Sequence, residues 1–363
     1  MDRRRLLQAG GVAVAAAVAG GLGWRGAIGS AGAYERYSAD LRAPLPADPA
    51  LTDLLRLATL AMSGHNTQPW RFRLGPGSLD LLPDASRATP VVDPDDHHLF
   101  VSLGCAAETL ALAAAATGRP GEWRAQEEGS LRYRFAPAPP QADPLAAAIT
   151  RRQSTRAVYD GRPVPAGVLA ALARAAAQEG VRYVLLTERA RLNALRDLTL
   201  AGNEAQMKDA AFRAELKRWL RFNPASAQRQ GDGLYAGASG NPSLPDWAGA
   251  IAFDLFVTAA AENDKYARQI ASSPGVAVFF AEQADPAHWI AVGRACQRFA
   301  LAATAQGLKL ACLNPAVEVP ALRPELASLA GETGLRPDMV LRFGYGPTLP
   351  YAPRRRVAAM VLA

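Results

Sequence analysis

Cysteine is scarce in this chain and badly placed for metal chemistry. The 363 residues hold three, Cys105, Cys296 and Cys312, an odd number at no metal-ligand spacing. Each sits among apolar neighbours, so buried free thiols are expected rather than a disulfide framework or a zinc site. Aromatic residues are few at 7%, whereas alanine and glycine are plentiful and half of the residues are hydrophobic. That balance suits a soluble protein with a sizeable core and many helices. Two kinds of catalytic punctuation are missing as well. No Gly-x-Ser-x-Gly elbow is present, which argues against a serine hydrolase. No Gly-x-Gly-x-x-Gly follows a predicted strand, so no dedicated nicotinamide domain is visible. The formal charge is +7, but Asp2, Arg3, Arg4, Arg5 and Arg25 supply +3 of it. What remains is too small and too scattered for nucleic acid, yet enough for an anionic small ligand.

Residues 1–33 read as an address. Arg3-Arg4-Arg5-Leu6-Leu7 precedes an uncharged run from Ala9 to Gly23, and Ala31-Gly32-Ala33 offers small residues at cleavage-site spacing. A basic start, an apolar middle and a small-residue end are the parts of an export signal. Paired arginines followed by leucines resemble the twin-arginine class, which implies contact with that translocation machinery. The expected location is the periplasm or the outer face of the cytoplasmic membrane. The run is short and rich in Ala and Gly, so a stable membrane span is not expected.

Within the body of the chain, Arg151-Arg152-Gln153-Ser154-Thr155-Arg156 packs three guanidinium groups and two hydroxyls into six residues after an apolar helical pattern. An extended chain puts alternate side chains on one face, so Arg152, Ser154 and Arg156 can point the same way. Arginine presents a rigid fork of donors that suits phosphate oxygens, which makes this a candidate clamp for a phosphate monoester. The plain alternative is a solvated basic turn.

Asp48 to Ala61 shows helical spacing and runs into Ser63-Gly64-His65-Asn66-Thr67-Gln68-Pro69-Trp70, a small and polar loop whose backbone can approach a ligand. Strands are expected at 71–74, 79–82 and 131–135, a loop at 83–98 and a nearly all-buried helix at 99–117. Pro137 to Pro144 looks like a linker between lobes. Further on, a helix is expected at 165–178, a strand at 181–187, a helix from Glu188 to about Gly202, a strand at 275–280, a helix at 285–306 and a strand at 308–312. Residues 203–247 match nothing in the first half and read as an insertion, a candidate lid. His97 and His98 follow Asp93, Asp95 and Asp96. Adjacent histidines on an exposed loop are expected to cap the next helix or face water, so no metal is expected.

Arg-x-Ser-x-Arg and Ser-x-x-Asn-x-Gln-Pro-Trp, each following a helix, resemble the two signatures of FMN-dependent nitroreductases. With the export signal, the chain is most similar to the Acg-type branch. The resemblance covers nearly everything after residue 45. It implies an α+β, nitroreductase-like fold, with FMN as cofactor. It implies that Arg152, Ser154 and Arg156, with Arg354 and Arg356 after the Gly344-Tyr345-Gly346-Pro347 turn, hold the phosphate. Ser63, Gly64 and Asn66 would hold the ring and ribityl chain. Leu313 to Ala316 falls where the family brings a backbone N–H to the ring. Gln68 and Trp70 are expected to support the fold. No acid–base residue is implied, so catalytic residues stay unassigned.

The two signatures appear in reverse order, and an internal repeat accounts for it. Gly104 to Ala113, ending in Gly118, resembles Gly293 to Ala302, ending in Gly307. Leu131 to Phe135 resembles Val340 to Gly344. Two tandem lobes, 34–141 and 142–363, would form a pseudo-dimer within one chain. The first-lobe relic of the clamp would be Arg36 to Asp40, whose final carboxylate repels phosphate. A family dimer draws each site from both subunits; here lobe two keeps the clamp and lobe one the loop, giving one site per monomeric chain. The resulting expectation is an exported flavin oxidoreductase passing electrons to a nitroaromatic- or quinone-like small-molecule acceptor, its donor unassigned. A flavin-holding protein with little turnover is the alternative. A binding protein for another phosphorylated ligand is a third.

Overall fold

Two long helices cross at the centre of the molecule, and the rest is layered around them. The computed structural model describes residues 26–362; the basic start and uncharged run of the expected export signal lie outside the described residues. The first central helix, His97–Ala116, is apolar on almost every side and buried along most of its length. Its start is held by Asp93, whose carboxylate accepts the amides of His98 and Leu99 at 2.9 and 3.0 Å. The second, Pro286–Ala305, has Pro286 in its first turn and Asp285 as N-cap, accepting the His288 amide at 3.0 Å. Each ends at a glycine in the left-handed region, Gly118 at φ +77° and Gly307 at φ +76°. The crossing is tight because both helices carry glycine there. A Cβ on Gly104 would lie 2.0 Å from the Ile290 carbonyl oxygen, and one on Gly293 2.0 Å from that of Val101.

Two sheets flank this pair, which makes the fold α+β. In one sheet the strands are β1 (Trp70–Gly75), β2 (Ser78–Pro83), β3 (Gly121–Ala125), β4 (Leu131–Phe135) and β11 (Val361–Leu362). Their order is β11-β1-β2-β4-β3. In the other sheet the order is β5-β8-β10-β9, all antiparallel: β5 (Val181–Leu186), β8 (Gly275–Ala281), β9 (Lys309–Cys312) and β10 (Pro337–Gly344). The side chains of the second sheet alternate between two cores, as the period of a strand requires. Phe279, Met339, Leu341 and Phe343 face the central helices, in one core with Trp70, Phe72 and Tyr133 of the first sheet. Val276, Val278, Phe280 and Val340 face a second core on the opposite side, shared with Leu192 and Leu195.

Four features depart from the sequence reading. Strand β3 was not expected; its one large apolar residue, the half-buried Trp123, sits between charged residues, so it carries no apolar alternation. Strand β11 lies within the expected second lobe but pairs in parallel with β1 of the first, with Phe72 opposite Val361. Residues 36–40 lie on a helix, Ala31–Leu41 (α1), and not in an extended segment after one. His97 and His98 are not on an exposed loop; they open the first central helix and are buried. The insertion is mostly helical. It begins inside the helix Arg189–Lys208 and continues through Ala210–Arg218 and Pro224–Gln230. Two short strands, β6 (Leu220–Arg221) and β7 (Leu234–Tyr235), pair with each other. Beyond residue 247 the chain stays helical in Asp246–Phe256 and Ala259–Ala271 before it returns to β8.

Candidate cofactor site

Between the end of the helix Leu51–Ala58 (α2), the segment after Ala148 and the insertion lies a cavity of about 580 Å³. Ser63, Gly64, Asn66, Arg152, Ser154, Arg156 and Arg354 all line it, although they come from three distant parts of the chain. Arg356 does not. It is exposed at the start of a short helical turn, whereas Arg355 before it is half-buried and donates to the Gln68 carbonyl. The expectation that Arg354 and Arg356 act as a pair is therefore corrected.

The arginine segment is extended, as its sequence suggested, because it borders a sheet edge. Ser154 forms a parallel bridge with Leu310 of β9, and the Thr155 amide donates to the Leu310 carbonyl at 2.8 Å. Gln153 locks the turn by accepting the Leu349 amide and the Thr155 hydroxyl. Arg152 is buried and reaches into the first half of the chain, where Nη2 donates to the Leu60 carbonyl at 3.0 Å. Arg354, also buried, donates through Nη2 to Leu60 and Ala61 and through Nη1 to Asn66 Oδ1. Arg42 completes a cluster on the same wall, with its guanidinium 3.8 Å over the Tyr351 ring. Arg156 stands apart from these three. Its electrostatic neighbours include His65, Cys312 and Tyr266.

The electrostatics of the cluster are one-sided. Among the described residues no carboxylate forms an ion pair with Arg42, Arg152, Arg156 or Arg354. The Nε of each of Arg42, Arg152 and Arg354 is shut off from solvent and has no hydrogen-bond partner. Burial drives all three guanidinium pKa values down, that of Arg42 to about 10, and repulsion from Arg152 pushes Arg42 and Arg354 the same way. Buried cations without counter-charges are costly, so such a cluster is built for an anion. A phosphate monoester supplies the missing charge, and acceptors for the guanidinium groups that line the cavity.

The Ser63–Trp70 loop is bent to meet the cluster. His65, Asn66 and Gln68 have φ of 45°, 55° and 54°, left-handed values that few non-glycine residues adopt. Ser63 Oγ accepts the Gln68 amide at 3.1 Å, and the Gly64 amide donates to Ser102 Oγ at 3.2 Å. A Cβ on Gly64 would meet only His98, at 3.7 Å, so the fold does not require glycine there; the free space belongs to the cavity. The Asn66 amide nitrogen binds the carbonyls of Gly233 and Pro353, tying loop, insertion and C-terminal segment together. Gln68 and Trp70 do not line the cavity. Gln68 donates to Gly231 and accepts from the Arg355 amide, while Trp70 is fully buried.

The insertion and the helix Asp246–Phe256 that follows it supply apolar lining, including Phe212, Leu216, Phe253 and, at that helix's end, Val257. A polar seam crosses it, with Gln206 donating to Glu318 at 2.6 Å and Lys265 pairing with Glu262 at 3.4 Å. Asn314 and Pro315 also line the cavity. Proline has no N–H, so of these two lining residues only Asn314 has a backbone amide to offer. Asn314 accepts the Val340 amide through Oδ1, which leaves its NH₂ to donate to His98 Nε2 at 3.2 Å. His98 therefore carries its proton on Nδ1, the atom 3.7 Å from Asp93. Asp93, His97 and His98 do gather their ligand atoms within 4.8 Å. Asp93 there also accepts the amides of His98 and Leu99, and His97 Nε2 lies 2.9 Å from Asp338.

Sequence reasoning missed Arg42, Gln153, Tyr351, His98 and the insertion's apolar wall. A segment such as Leu41-Arg42-Ala43 carries no motif, and only the packing of α1 on the C-terminal segment draws Arg42 inward.

No family model matches the sequence. Two proteins of Mycobacterium tuberculosis, one from strain CDC 1551 and one from H37Rv, are each 28% identical to this chain over 323 residues. The likeness spans 85% of this chain and 90% of either relative, and each is named "Putative NAD(P)H nitroreductase". Among solved structures, an FMN-bound nitroreductase from Desulfitobacterium hafniense is 17% identical with a TM-score of 0.37, over 59% of this chain and 94% of that one. The FMN-dependent nitroreductase NfnB of Mycobacterium smegmatis, in complex with NADPH, is 17% identical with a TM-score of 0.38, over 56% and 89%.

Proposed function

We propose that this protein is an FMN-dependent oxidoreductase of the nitroreductase type, with one flavin site per chain. The observation that carries the reading is the meeting, in one cavity, of the counter-charge-free cluster Arg152–Arg354 with the strained Ser63–Asn66 loop. The full-length likeness to the two mycobacterial relatives supports the same class. Arg152, Arg354 and Ser154 hold the phosphate. Ser63, Gly64 and Asn66 border the part of the cavity between that cluster and the apolar wall, where a flat ring and its polyol chain fit. FMN supplies two-electron transfer when bound. Arg156, away from the phosphate cluster, offers positive charge to a reduced ring. The insertion narrows access and dries the opposite face. A small, flat acceptor of nitroaromatic or quinone type suits the apolar wall.

We further read the chain as a monomeric pseudo-dimer, exported by the twin-arginine route and acting outside the cytoplasm. The reciprocal approach of Gly104 and Gly293 across the central helices supports a duplicated origin. The Arg3–Arg5 cluster and the uncharged run to Gly23 support export. A second reading, flavin holding with little turnover, is favoured by one observation: the insertion lines a large part of the cavity that a donor would have to enter.

The test is direct. Protein purified from its folded state should show flavin absorbance bands, and extraction should release one FMN per chain. Colourless protein that takes up no FMN sinks the proposal, and two FMN per chain sinks the single-site account. Reduced protein mixed rapidly with a quinone should reoxidise, and steady turnover with any donor would eliminate the holding-protein reading.

A further inference from the structure

We infer that Arg42, on the segment just after residue 30, is a third phosphate-binding arginine, so that helix α1 is part of the cofactor site. This rests on the flavin reading above. Arg42 closes α1, and its position is fixed from both sides. Its Nη1 donates to the Ser38 carbonyl and hydroxyl at 3.2 and 3.1 Å. Its guanidinium plane lies over Tyr351. Stacking and a helix-end bond give a surface arginine ample reason to stay in place, but neither answers its charge. Arg42 lines the cavity with Arg152 and Arg354, and Arg152 is near enough to repel it. Three guanidinium groups without a carboxylate partner border a space that a dianion with three terminal oxygens can fill.

The helix also sets Arg354. The Tyr37 hydroxyl donates to the Arg354 carbonyl and accepts its amide at 3.0 Å, and Tyr34 donates to Tyr351 at 2.7 Å. Arg56 pins the exit of α1 through the carbonyls of Leu41 and Ala43, both at 2.9 Å. The segment that follows the expected export signal thus carries one phosphate ligand and orients another.

The experiment compares two ligands that differ only in the phosphate. Full-length protein is freed of flavin, then titrated with FMN and with riboflavin, following flavin fluorescence. Arg42→Gln should weaken FMN by about tenfold or more, the worth of one charged hydrogen bond, and leave riboflavin affinity where it was. Arg42→Lys should fall between. If Arg42→Gln binds FMN like the wild type, or loses both flavins equally, the inference is overturned. If Arg42→Gln does not fold, Arg42→Lys gives the same contrast with the charge kept, and equal FMN and riboflavin losses in it are again the overturning result. Wild-type protein that binds neither flavin overturns the parent reading instead, a failure visible before any variant is made.

Discussion

Arg152 and Arg354 donate to the same oxygen, the carbonyl of Leu60, at 3.0 and 3.2 Å. That carbonyl lies just past the helix α2, in the first half of the chain, while its two donors lie 92 and 294 residues further on. One acceptor with two lone pairs can serve both, but it cannot neutralise two charges. The pair is therefore held by geometry and left in electrostatic deficit until an anion arrives.

Replacing Arg152 by Gln should separate binding from stability. FMN affinity is expected to fall by about 1.5–3 kcal/mol, the range for a hydrogen bond to a charged group. The melting temperature of flavin-free protein should not fall, because removing one of several crowded cations relieves repulsion while Arg354 still serves Leu60. Isothermal titration with FMN and thermal scans of the flavin-free form measure the two quantities. A variant that melts much lower without flavin, yet binds FMN normally once folded, would make Arg152 a structural brace.

The central crossing allows no side chain at either glycine. A Cβ on Gly104 or Gly293 would sit 2.0 Å from a helix carbonyl, far inside any real contact. The neighbour is backbone, so the helices themselves must part. Gly104→Ala and Gly293→Ala are each expected to destabilise the fold by at least the 1–3 kcal/mol or so typical of overpacking. The double variant should cost clearly less than the two losses added, since a single separation accommodates both methyl groups. Urea midpoints for the three variants decide it; strict additivity would mean that the two contacts are independent.

The same crossing shows what the sequence made readable. Both central helices were legible because they are apolar around most of their circumference and end in glycine, signals that need no partner to interpret. The loop from Ser63 and the segment from Arg152 were legible because their residue types are unusual in combination. Other parts depend on residues far away in the chain. His97 and His98 resemble solvated loop residues until Asp338, 2.9 Å from His97, and Asn314 are brought to them. Strand β11 has two residues and no pattern; its pairing with β1 exists because the chain returns to the first sheet at its end. Arg356 is paired with Arg354 only by the family resemblance. The chain instead uses Arg354 and Arg355 inward and turns Arg356 out to solvent.

Stability should decline as pH falls from 7 towards 4. Burial holds His65 at about 4 and His97 and His98 at about 3, all below the ordinary histidine value of 6.5. The unfolded chain therefore binds protons first, and stability is lost as pH drops below that value. Burial moves Asp338 the other way, up to about 6. Its folded form takes the proton first, so its contribution is present at low pH and lost as pH rises from about 4 to 6, which partly offsets the histidines. Asp338→Asn removes only that offset. The difference in urea midpoint between Asp338→Asn and wild type should shift in the variant's favour from pH 4 to pH 7. A difference independent of pH would show that Asp338 stays ionised throughout.

Glu108 is the buried charge that ties the two central helices together. Its carboxylate is almost wholly enclosed and accepts from Arg294 at 2.8 Å and Arg298 at 2.7 Å, both on the opposite helix. In the repeat register Glu108 matches Gln297, four residues past its own glycine, and Gln297 Oε1 is buried without a partner. The crossing is thus ionic on one side and neutral on the other. Removing the carboxylate leaves the arginines unpaired, but both are about one-third exposed and can turn to water. Glu108→Ala should therefore cost about 3 kcal/mol, the low end for breaking a buried pair. Glu108→Gln, which keeps shape and acceptor, should cost less than half of that, and Arg298→Ala about 1 kcal/mol. Urea unfolding with an unchanged m-value gives all three numbers. If neither the alanine nor the glutamine variant is less stable than the wild type, the enclosed charge is not what the crossing depends on, and the helices are held by their apolar contacts alone.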